Sequence, residues 1–123
     1  MPTKEQQRSA FALQRINDFG TNGVRKEDAN FIVGTPTMIL TNGIAQTMVF
    51  LLSKGEERCT RVFTILKEWL SQEIRALPNN ANNHQFLAQF ASLEQNDYLR
   101  AQQEALALLQ WLKRYARAFQ AEV

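Results

Sequence analysis

Three cations stand within five residues near the end of the chain: Lys113, Arg114 and Arg117, in the stretch LLQWLKRYARAFQ spanning 108–120. Trp111, Tyr115 and Phe119 are interleaved with them. Guanidinium and ammonium groups bind phosphate oxygens, and flat aromatic faces stack on bases, so the residue types suit a nucleic-acid surface. Two plainer readings compete. Cations near a helix C-terminus interact favourably with the macrodipole, by typically about 0.3–1 kcal/mol. A charged face also keeps a bundle helix soluble. Against both, none of the three cations has an acid at i±3 or i±4, the nearest being Glu104 and Glu122.

Other basic residues form stripes. Lys4, Arg8 and Arg15 fall close to one line of a first helix, at i, i+4 and i+11, with little negative charge beside them except Glu5 and Asp18. Arg58 and Arg61 mark one edge of a later helix, where Glu57 to Arg61 at i, i+4 suits a self-paired, solvated face. Spacing alone does not decide whether stripes on different helices merge into one patch.

Catalytic constellations are missing. The one histidine, His84, lies in an Asn-rich stretch with no Cys, Asp or Glu at ligand spacing, which fits a loop or capping residue. Cys59 falls on an apolar arc and reads as a buried structural thiol. Glu68 and Glu73 are five apart and point in different directions, so they do not make an acid–base pair. GTPTMILTNG lacks the lysine and spacing of a phosphate-binding loop. The sequence therefore leads us to expect no enzyme, no metal, no cofactor and no small-molecule substrate.

The elements that must position the cations are helices. The chain has 123 residues, 45% hydrophobic and 21% charged, which fits one globular domain over 1–123. Fourteen Lys+Arg against twelve Asp+Glu give only +2, so a polyanion would have to be met by a local patch. One cysteine excludes an internal disulfide, and no apolar run approaches the ~20 residues of a membrane span. A cytoplasmic protein with no membrane partner is expected.

Thr3 with Gln6 suggests a capping box opening a helix that Gly20 closes. In KEDANFIVGTPTMIL, Gly34 and Pro36 argue for a short helix, a break and a further helical turn. Ile44, Met48, Leu51 and Leu52 form a helical set ended by Gly55. Cys59, Val62, Phe63, Leu66, Trp69, Leu70 and Ile74 form another, stopped by Pro78. Phe86, Leu87, Phe90 and Leu93 suggest a short helix. The longest runs from about Glu94 or Asn96 towards Ala121.

On that last helix Tyr98, Ala101, Ala105, Leu108, Leu109, Leu112, Ala116 and Phe119 share an apolar arc, opposite Arg100, Lys113, Arg114 and Arg117. Trp111 lies at the border. The sum is an all-α bundle of about six helices.

Three blocks, in order, resemble the small subunit of the type III-B CRISPR effector, the Cmr complex. They are EQQRSAFALQRI, TNGIAQTMVFLLSKG and YLRAQQEALALLQWLKRYARAF, somewhat under half the chain. The segment 24–36 and the loop 78–85 fit the family pattern poorly. The resemblance implies a non-catalytic helical subunit that stacks in several copies beside the backbone subunits. It also implies a role in positioning the guide RNA–target RNA duplex, with the backbone and large subunits as further partners.

Family motif positions carry an RNA-contact role onto Lys54, Lys113 and Arg114. The face argument extends it to Arg8, Arg15, Arg100 and Arg117. Trp111 is expected to pack rather than to stack on a base. The competing expectation is a helical protein–protein adaptor whose cations meet acidic patches on neighbouring subunits.

Overall fold

Thr3 opens the first helix, α1 (Lys4–Ile16), as its spacing predicts. Its hydroxyl accepts from the Gln6 N–H at 3.1 Å, and its own N–H donates to the Gln6 side chain at 2.7 Å. The computed structural model describes residues 1–122. A 3-10 turn (Asn17–Phe19) and Gly20 at φ 144° end α1. Four further helices follow: α2 (Lys26–Ser53), α3 (Glu57–Glu73), α4 (Asn83–Ala91) and α5 (Gln95–Ala118). Among the described residues the only β-type pairing is one isolated bridge, so the chain is all-α as expected. No helix among them is long and apolar enough to cross a membrane.

The break expected at Gly34 and Pro36 is absent; α2 runs through both and breaks at Gly43 instead. Pro36 removes one helical hydrogen bond, but it sits on the core-facing side with Ile32, Thr35 and Ile39, all buried, and that packing holds the helix together. Gly43 has φ 82° and ψ 161°, a backbone region open essentially to glycine alone. The turn after it leaves N–H groups without helical partners. Helix α5 supplies them: Ile44 N–H donates to the Gln102 side-chain oxygen at 3.0 Å, and Ala45 N–H to the Tyr98 hydroxyl at 3.3 Å. A Cβ at position 43 would stand 3.2 Å from that hydroxyl.

The other end of α2 is tied to the other end of α5. Val24 N–H donates to the Phe119 carbonyl at 2.8 Å, and Ala121 N–H to the Val24 carbonyl at 2.7 Å. With residue 24 beside 119–121 and residues 44 and 45 beside 102 and 98, the two helices run antiparallel.

Helix α3 stops at Glu73, short of Pro78. Ile74 turns to φ −110°, ψ 108°, and the turn it starts sends both Ile74 and Leu77 into the core. The apolar arc of α5 meets α1, α2 and α3 at once. Ala101, Ala105 and Ala116 are fully buried there, and their small side chains let the neighbours approach closely. Phe119, assigned to the same arc, is half exposed because the helix ends one residue before it. Cys59 is buried, as its arc predicts, and burial pushes its thiol up.

Candidate nucleic-acid interface

The stretch 108–120 separates in space into a row of rings and a row of cations. Trp111, Tyr115 and Phe119 stack along α5 with centroids 6.1 and 6.2 Å apart. The row turns towards α1: the Trp111 indole N–H donates to Glu5 at 3.2 Å, and the Tyr115 hydroxyl lies 2.6 Å from that of Ser9. Trp111 is half-buried. The flat face read from the sequence as standing beside the cations therefore belongs to the α1 side.

On that side the charges are matched. Glu104 projects from the core-facing arc of α5 and is buried. Arg8 grips it with both prongs, Nε to Oε1 at 2.9 Å and Nη2 to Oε2 at 2.6 Å, while the Trp69 indole N–H donates to Oε1 at 2.9 Å. Arg8 also reaches Glu5 at 2.7 Å. Burial pushes the Glu104 carboxyl up, but the hydrogen bonds from Arg8 and Trp69, together with the charges of Arg8 and Lys4, leave the group below its ordinary value. The bond to Glu104 likewise raises Arg8 against its own partial burial.

The first-helix stripe is thus not the unpaired surface its spacing suggests. Lys4 pairs with Glu73 at 2.6 Å, and Arg15 with Asp18 and Glu68 at 3.1 and 3.0 Å. Arg8 and Arg15 hold helices together, since their partners come from α5 and α3 and lie far off in sequence.

Lys113, Arg114 and Arg117 face the other way. Together with Val33 of α2 they line a shallow open groove of about 380 Å³. None of the three meets a carboxylate among the described residues, and the one polar contact found is Arg117 to the Gln120 side chain at 2.9 Å. The reason lies partly in the chain itself. No Asp or Glu occurs from 29 to 55 or from 105 to 121, stretches that include Val33 of α2 and the three cations of α5. A groove with no carboxylate among its lining residues keeps its positive potential undiluted.

The remaining candidates stand apart from this groove. Arg100 is exposed and lies thirteen residues before Lys113 on α5, about 20 Å along the axis. Lys54, at the end of α2, places its ammonium 5.7 Å from the Phe50 ring centre. Arg61 pairs with Glu57, as their spacing predicts, and Arg58 reaches past its own helix to the buried Asp28 at 2.8 Å. No cluster of His, Cys, Asp or Glu able to hold a metal occurs among the described residues.

Two participants escaped the sequence. Val33 lies in a segment that fits the family pattern poorly, and no charge marks it. Glu104 carried a signal, a lone carboxylate among Ala101, Ala105 and Leu108 on the apolar arc, which calls for a buried partner.

A family model described as CRISPR-associated protein (Cas_Cmr5) matches residues 4–119. The chain is also 25% identical over 119 residues to the CRISPR system Cmr subunit Cmr5 of Thermus thermophilus, covering 96% of each chain.

Proposed function

The chain belongs to the Cas_Cmr5 family of CRISPR-associated proteins, and we propose that it is a small, non-catalytic subunit of a Cmr ribonucleoprotein complex. In that role it helps position the guide RNA–target RNA duplex during defence against foreign RNA. The observation that carries the RNA contact is the acid-free groove lined by Lys113, Arg114 and Arg117. Phosphate contacts there would be independent of base sequence, because the groove offers charge rather than a pattern of donors and acceptors. Copies stacked beside the backbone and large subunits would join several such grooves into one track, and backbone contacts add along a polyanion. Arg100 and Lys54 are exposed and extend the surface that RNA could meet, whereas Arg8 and Arg15 are left out of the contact set because their charges are already engaged.

A purely protein-binding adaptor is the competing reading, in which the same cations meet acidic patches of neighbouring subunits. Crosslinking separates the two. With a photoreactive residue in place of Arg117 in the assembled complex, label should pass to guide or target RNA. Label confined to protein would overturn the RNA contact.

A further inference from the structure

The basic groove has α2 on its other side, where Val33 lines it. On α2, Lys26, Asn30, Val33 and Thr37 are spaced by four, three and four residues and so lie on one stripe. Val33 lines the groove, which turns that stripe towards the cations of α5. The backbone tie between Val24 and residues 119–121 brings the Lys26 end of the stripe to the Arg117 end of α5. Lys26 is exposed. Of the acids next to it, Asp28 is buried against Arg58 at 2.8 Å, and Glu27 stands at the surface 3.6 Å from Arg25. Asn30 and Thr37 are exposed as well, and each carries a neutral donor of the kind that contacts phosphate and sugar oxygens.

We propose that α2 supplies a second wall, with Lys26 as a fourth cation and Asn30 and Thr37 as neutral donors, so that one RNA strand lies lengthwise between α2 and α5. The inference rests on the RNA reading of the α5 cations. Two helices packed side by side have axes about 8–10 Å apart, so the furrow between them takes a single sugar–phosphate backbone and touches a duplex along one strand only. From Lys26 to Thr37 the wall is about 16 Å long, enough for a few successive phosphates. Val33, at its middle, leaves the floor apolar and free of competing acceptors. The occupant is a polyanion because the groove holds cations and no carboxylate, and a strand with a phosphate at every repeat sets a charge opposite each cation along the furrow, which a protein segment does not.

The test measures binding of fluorescein-labelled oligouridylate to the full chain at low salt, for Lys26→Glu, Val33→Glu, the triple reversal Lys113→Glu/Arg114→Glu/Arg117→Glu, and Arg75→Glu as a control outside the groove. Lys26→Glu puts an acid in the first turn of α2, where the helix dipole favours it, so lost binding would not reflect lost folding. Lys26→Glu and Val33→Glu should each weaken binding several-fold, and Lys26→Glu should lower the log–log salt slope by about 0.7, the value of one phosphate contact on a single strand. Arg75→Glu should bind as the parent does. If the triple reversal weakens binding while both α2 variants leave it unchanged, the second wall is wrong and the RNA reading survives. If the triple reversal is also silent, the RNA reading falls with it.

Discussion

The two flanks of α5 handle charge in opposite ways. Towards α1, every cation that approaches the helix is matched: Arg8 by Glu104 and Glu5, with Trp69 and Trp111 completing the hydrogen bonds. Towards α2, three cations line a groove with no carboxylate among its lining residues. Both flanks are rich in arginine, so composition does not distinguish them. The difference is where the carboxylates sit, and it separates charge that holds the fold together from charge left over for a partner.

The sharpest way to break that contrast is to remove the matched side. Arg8→Ala leaves Glu104 buried without its cation, and losing one member of such a pair typically costs about 3–5 kcal/mol. A urea midpoint close to the parent's would show that the pair carries no such weight. Replacing both members together, Arg8→Met with Glu104→Leu, should recover only part of the loss, because no buried charge is left unpaired but the buried Trp69 indole N–H loses its acceptor.

A smaller cost is expected at the joint between α2 and α5. Gly43→Ala forces a side chain into a backbone region that only glycine readily occupies and brings it against the Tyr98 hydroxyl. The expected loss is about 1–3 kcal/mol by chemical denaturation. If α2 instead straightens at no cost, the capping by Gln102 and Tyr98 is incidental.

Acid should distinguish the flanks too. Glu104 has a folded-state value below its ordinary one, so its contribution is present in full above about pH 4.3 and is lost as the pH falls through the lower folded value. The Arg8→Met/Glu104→Leu variant should therefore lose less stability between about pH 5 and pH 3 than the parent. Parallel declines would contradict the assignment. Smallest of all is the effect on folding of the triple reversal at Lys113, Arg114 and Arg117, expected at about 1 kcal/mol, because these side chains meet no carboxylate in the fold and the loss comes mainly from placing acids near the C-terminal end of α5.

How much of this was legible beforehand follows the range of each interaction. Thr3 with Gln6 and the apolar arcs of α3 and α5 are local patterns, and the structure repeats them. Pro36 misled because its local cost is met by packing against residues distant in sequence, and the true break at Gly43 depends on two side chains from α5. Cations followed the same division. The absence of acids around Lys113, Arg114 and Arg117 could be read from their neighbours, whereas the partners of Arg8 and Arg15 come from other helices and were invisible to spacing. Trp111 stood beside the cations in sequence, but it turns to Glu5 on α1, which adjacency along the chain did not reveal.

The central claim is that the cations of terminal α5 are kept free for a polyanion. Its most direct test is the salt dependence of oligouridylate binding by the full chain and by the triple reversal at 113, 114 and 117. The parent should bind more tightly at low salt, with a log–log slope steeper by about 2, since each single-strand phosphate contact contributes about 0.7. Equal affinities and equal slopes would contradict the account, and the adaptor reading would take its place.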